Sequence, residues 1–248
     1  MASTSETGHS KNTANFDDLV SFVTGYGAVY NPSKASIKLT ALQTLSVNAK
    51  NAVSAVNAAL PAYSNAVAAR EAAFLPLNKL ITRAMNALKA TDTTDQVDES
   101  AKTLVRKIQG TRATPKKTDE EKAAEKAAGK ESKEISASQM SYDSRLDNFD
   151  KLIKLLTSVS LYAPNEADLK VTALTTMYND LKTKNTAVVN ATTPLSNARI
   201  ARNDILYKAN VGLVDLALDT KTYIKSLYGA TSPQYKQVSK LEFKAVKA

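Results

Sequence analysis

The side chains able to do acid–base, nucleophilic or metal chemistry are few and scattered in this chain. His9 is the only histidine, and it stands in a Ser/Thr/Asn-rich stretch. We read it as an ordinary solvated residue of a polar tail. Cys is absent, which removes disulfides, zinc–thiolate sites, iron–sulfur clusters and thiol nucleophiles. With one His and no Cys, neither a Ser-His-Asp nor a Cys-His constellation can be assembled. The Glu-x-x-His pattern of di-metal bundles is missing as well.

Carboxylates remain. Asp215 and Asp219 stand one helical turn apart, and Asp147 and Asp150 share a face. Paired acids can move protons or hold a hard cation. Nothing else converges on these, so a solvated helical face is the reading we adopt. Thr24-Gly25-Tyr26-Gly27 has no preceding strand and no downstream Lys-Ser/Thr, so it is a flexible helix end and no phosphate loop. We expect no cofactor, no metal and no enzymatic activity.

Two sets of residues are candidates for contact with an anion or a partner. Arg70 and Arg202 recur at equivalent places in an internal repeat described below, at the edge of an Ala seam. A guanidinium there can grip a phosphate or a carboxylate; its stem can also cover the core while the head pairs with an acid. The second set is the C-terminal segment with Tyr223, Lys225, Tyr228, Tyr235, Lys236, Lys240, Lys244 and Lys247. Tyr and Lys together can stack on and neutralise nucleic acid. The competing reading puts Tyr at core rims and Lys at helix C-termini.

Charge does not single out a nucleic-acid face. The net +9 is spread: residues 1–110 hold 11 Lys+Arg and 8 Asp+Glu, residues 111–140 hold 7 and 6, and residues 141–248 hold 15 and 10. Nucleic-acid binders usually gather their excess on one surface. The first fifteen residues lack the apolar core of a secretory signal. No run approaches the roughly 18 apolar residues that span a bilayer. With Cys absent too, the expected location is cytoplasmic.

The elements that must position these residues come from the strongest signal in the sequence, a repeat. YNPSKASIKLTALQTL, residues 30–45, returns as YAPNEADLKVTALTTM, residues 162–177, with 8 of 16 positions identical. Phe16-Asp17-Asp18-Leu19 returns as Phe149-Asp150-Lys151-Leu152, and Val105-Arg106-Lys107-Ile108 as Val238-Ser239-Lys240-Leu241. The offset is 132 or 133 throughout, and the order is colinear. We therefore expect an all-α protein of two tandem four-helix antiparallel units. Residues 1–15 are expected to be a disordered tail, 16–110 the first unit, 111–140 a charged flexible linker and 141–248 the second unit.

Within each unit the first helix should stop before Asn31-Pro32 or Ala163-Pro164, because the residue before Pro avoids the α region. The second carries a seam of Leu42, Ala49 and Val56, matched by Leu174, Leu181 and Val188. Pro61 and Thr193-Pro194 should end it, with Thr193 capping the third helix. Pro76 should kink that helix in the first copy. The fourth is short, near residues 97–108 and again from Ser232-Pro233 after a turn at Gly229. In the linker, residues 119–133 carry Glu/Lys pairs suited to a solvated helix.

The expected role is a structural or adaptor protein that binds other proteins or itself through long helix faces. The rival is a salt-sensitive binder of nucleic acid or of an anionic membrane surface.

Overall fold

A computed structural model describes residues 7–111, 118–128 and 140–245. Among them the regular structure is entirely helical, with no strand. The helices are α1 (Thr7–Gly25), α2 (Leu39–Phe74), α3 (Leu77–Lys89), α4 (Asp95–Gln109), α5 (Asp119–Ala127), α6 (Tyr142–Ser158), α7 (Val171–Tyr207), α8 (Leu213–Tyr228) and α9 (Pro233–Ser239).

The expected polar tail is corrected over residues 7–15, which form the first turns of α1. Phe16, Leu19, Val20 and Val23 make its buried stripe. His9, Asn12 and Thr13 continue that stripe backwards at helical spacing, and all three are buried. They are polar, so the stripe looked finished at Phe16. Residues 1–6 lie outside the described residues. So does most of the expected linker; the part described, α5, opens on a capping box. Thr118 Oγ1 accepts from the Glu121 N–H, and Glu121 accepts from the Thr118 N–H.

Pro32 and Pro164 do separate elements, but a short 3-10 turn follows each, Ala35–Ile37 and Ala167–Leu169, before the long helix starts. The breaks expected at Pro61 and Pro194 do not form. Both prolines sit inside helices, of 36 and 37 residues, and Thr193 is an interior residue. An interior Pro costs about 3 kcal/mol relative to Ala. In α2 the Ala-rich flanks that run on either side of Pro61 are the best helix formers available.

The chain turns later. In the first copy this happens at Leu75-Pro76, where Pro76 precedes α3 rather than kinking it. In the second no Pro is used. Asn210 takes a left-handed φ of 66°, and its N–H donates to Asp215 Oδ2 at 2.7 Å. The short last helix starts as expected: Ser232 Oγ accepts from the Tyr235 N–H, Pro233 occupies the first turn, and Gly229 at φ 88° makes the preceding turn.

The chain divides into two compact units, and they are cut differently from the sequence repeats. The first comprises residues 1–64 and 191–248, the second residues 65–190. The chain therefore passes from one unit to the other within α2 and returns within α7. In the first unit, Phe16, Leu19, Ile37, Leu42 and Ala49 share a core with Leu206, Leu213, Leu216, Ile224 and Val238. There α8 packs on α9 and α1. In the second unit, Phe74, Leu77, Ile81, Leu88 and Ile108 share a core with Leu146, Phe149, Leu152, Leu174 and Leu181. There α4 packs on α6 and α3. Each fully buried Leu or Phe contributes about 1.5–3 kcal/mol.

Candidate functional site

Most of the aromatic candidates serve as rims of the first unit's core. Tyr223 lies edge-on to Tyr30, ring centres 5.2 Å apart, and Tyr228 lies against Tyr26 at 5.3 Å. Tyr235 is half-buried, with Lys225 Nζ 5.8 Å from its ring centre. These rings have protein neighbours, as the rim reading required. Lys225, Lys236, Lys240 and Lys244 are exposed. Lys244 Nζ lies 3.3 Å from Glu242. Lys247 lies outside the described residues.

The two arginines fall in different units. Arg70, in the second, places its guanidinium 3.9 Å from the centre of the Tyr142 ring. Its Nη1 donates to Asn185 Oδ1 at 3.1 Å, and Asn185 Nδ2 donates to Asp143 Oδ1 at 2.7 Å. The expected acid partner is thus reached through an amide. The Arg70 Nε is buried without a hydrogen-bond partner. Arg202, in the first unit, is buried, and its Nε and Nη2 donate to Asn203 Oδ1.

Each carboxylate of the two pairs has a partner of its own. Asp219 takes Lys34 at 2.5 Å, Asp215 takes the Asn210 N–H, and Asp147 and Asp150 take Lys151 and Lys154. Among the described residues no cluster of three His, Asp or Glu side chains is placed to hold a metal ion. Asp17 accepts from Lys50 and from Ser46, and these two bonds hold its carboxyl below the usual range. Hydrogen bonding to Arg83 lowers Asp168 in the same way. Burial pushes the phenols of Tyr30 and Tyr162 up to about 12.

The cluster that sequence reasoning missed lies at the start of α1. His9 Nδ1 is 2.6 Å from Tyr207 Oη, and Asn12 Nδ2 donates to the same oxygen at 3.3 Å. Asn12 also holds the main chain of Lys244: its Nδ2 donates to the Lys244 carbonyl at 2.7 Å, and its Oδ1 accepts the Lys244 N–H at 3.1 Å. Asn15 donates to the Glu242 carbonyl at 2.7 Å. The signal was the helical spacing of residues 9, 12, 13 and 16, hidden because three of the four are polar. Chemically the cluster is a hydrogen-bonded anchor for the main chain of residues 242 and 244.

Among the described residues no helix is long and apolar enough to cross a membrane. Set against protein-family models, curated proteins and solved structures, the chain matches none of them.

Proposed function

We propose that this chain is a non-enzymatic scaffold, built by internal duplication, that binds other proteins or a second copy of itself through its helix faces. The observation carrying the duplication is a set of side-chain interactions repeated at the offset of the sequence repeat. Tyr30 Oη donates to the Ile37 carbonyl, and 132 residues on Tyr162 Oη donates to the Leu169 carbonyl. The His9–Tyr207 ring contact has its counterpart in Tyr142 against Phe74, with both partners displaced by 133. In each of the two ring contacts one partner comes from the first sequence repeat or its lead-in and the other from the second.

The binding role is supported by the way the side chains are used. Polar and titratable groups that might have done chemistry are engaged in tethers between elements: Lys34 with Asp219, Arg83 with Asp168, Lys50 with Asp17. Large aliphatic side chains meanwhile stand exposed on the helices and at their ends. Leu75 is 79 % exposed, Val189 59 %, Ile200 57 % and Val47 55 %. Exposed aliphatic area supplies contact when helices dock, where it gathers into a patch.

Light scattering over a concentration series, together with capture from the native host on immobilised protein, tests this. A specific stoichiometric partner or a concentration-dependent oligomer is the expected result. A strict monomer that retains nothing rejects the proposal. The rival, a binder of nucleic acid or anionic lipid, draws on the exposure of Lys225, Lys236, Lys240 and Lys244. It requires binding to duplex DNA or anionic vesicles that falls steeply as salt rises.

A further inference from the structure

We infer that the α1 face bearing Asn12, Asn15 and Phe16 is a receptor for an extended peptide with an aromatic anchor, and that the chain's own residues 241–245 are its resident occupant.

Residues 241–245 follow α9 without regular structure of their own. Side chains of α1 meet their main chain at residues 242 and 244. Asn12 makes two bonds to one residue, the Lys244 N–H and carbonyl. That is the reciprocal pairing one β residue offers another. Asn15 takes the Glu242 carbonyl, two positions earlier. In an extended chain, alternate residues point their main-chain groups to the same edge. Residues 242 and 244 thus face the asparagines. Phe243, between them, meets Phe16 edge-on, ring centres 6.4 Å apart at 81°.

From α8, Lys221 Nζ donates to the Leu241 carbonyl at 2.9 Å and lies 6.0 Å from the Phe243 ring centre. Main-chain groups of residues 241, 242 and 244 are therefore read by side chains, and a single ring supplies the anchor. This is the division of labour in β-augmentation, where main-chain bonds bind and an alternate side chain selects. Asn12 is 3 % exposed, and its amide is further held by Tyr207. The clamp is therefore positioned by the fold as well as by the segment it holds.

Among its described residues the second unit repeats the arrangement only in part. At the equivalent of Asn12 stands Arg145, whose Nε donates to the Ile108 carbonyl at 3.1 Å. The chain there is the end of α4 and turns away at Gly110 with φ 70°. Asn148, at the equivalent of Asn15, is kept and buried, so the two repeats differ at the position of Asn12 and, with Gly110 at the equivalent of Phe243, at the aromatic anchor.

The inference gives the protein-binding proposal one defined surface, but it rests on these contacts alone. A fluorescein-labelled peptide Lys-Leu-Glu-Phe-Lys-Ala, copied from residues 240–245, is titrated against the full chain carrying Phe243→Ala. Saturable binding at least tenfold tighter than to the unaltered chain is expected, because the unaltered chain fills its own site. Adding Asn12→Ala, or replacing the peptide's Phe with Ala, should each weaken it about tenfold. Equal binding by both chains, or indifference to the peptide's Phe, overturns the inference.

In case Phe243→Ala does not fold, the unaltered chain supplies a second readout. Millimolar unlabelled peptide should speed amide exchange at Lys244, and no acceleration rejects displacement. Either failure leaves the search for partners and oligomers unaffected.

Discussion

At the residue scale, the fold relies on phenols and amides that reach main-chain carbonyls. Tyr30 and Tyr162 each cross a proline-containing loop to donate to a carbonyl seven residues on, at 2.7 and 2.8 Å. Removing either hydroxyl leaves a buried carbonyl without its donor, a loss of about 1–3 kcal/mol. Urea denaturation of Tyr30→Phe and Tyr162→Phe should show destabilisations in that range and similar to each other. Both phenols are raised by burial from 10.0 to about 12. A phenol kept neutral by the fold holds its proton more tightly there than in the unfolded chain. The stabilisation is therefore complete below pH 10 and is lost as pH climbs through about 12. Ultraviolet titration of the 10 tyrosines should show late-ionising phenols, and each Phe variant should remove one of them.

At the element scale, the long helices α2 and α7 run through prolines that a local reading places at helix ends. Pro61 has no N–H to give and crowds the preceding turn, yet α2 continues to Phe74. Pro61→Ala should therefore stabilise the protein by about 1–3 kcal/mol, read as a higher urea midpoint at unchanged slope. A lower midpoint would mean that this helix needs the proline's geometry. Gly229 is the opposite case. Its φ of 88° with ψ of 155° lies where side chains are strained, and a Cβ there meets nothing within 4 Å. Gly229→Ala should cost about 1–3 kcal/mol through the backbone alone, measured in the same way.

At the scale of the molecule, each core draws on both halves of the sequence. One joins Phe16–Ala49 to Leu206–Val238, the other Phe74–Ile108 to Leu146–Leu181. A single cut introduced between Thr111 and Thr118 leaves every core with side chains from both fragments. The fragments should co-elute in native buffer and separate only in denaturant. Separation in native buffer would contradict the shared cores.

Much of the helical content was legible because period and punctuation act locally. The seam of Leu42, Ala49 and Val56, its counterpart Leu174, Leu181 and Val188, the cap at Ser232 and the turn at Gly229 all depend on residues a few positions apart. The candidate site was legible only in part. Tyr223, Tyr228 and Tyr235 were found by type, but their neighbours come from the loop after α1 and from α8. His9, Asn12 and Asn15 were passed over because a polar residue signals burial only once its partner is known, and Tyr207, Lys244 and Glu242 lie 198, 232 and 227 residues away.

By itself the sequence determined that the chain is helical, that one pattern occurs twice, and that thiol and histidine-pair chemistry is closed to it, since each follows from residue types and short-range spacing. Only the tertiary structure decided that each core takes side chains from both halves of the sequence, that α2 and α7 pass through their prolines, and that Asn12 and Asn15 of α1 hold residues 242 and 244. Those outcomes depend on surfaces burying one another across more than a hundred residues. A helical stripe states that it needs a partner, and it carries no mark saying which of two near-identical stripes the partner will be.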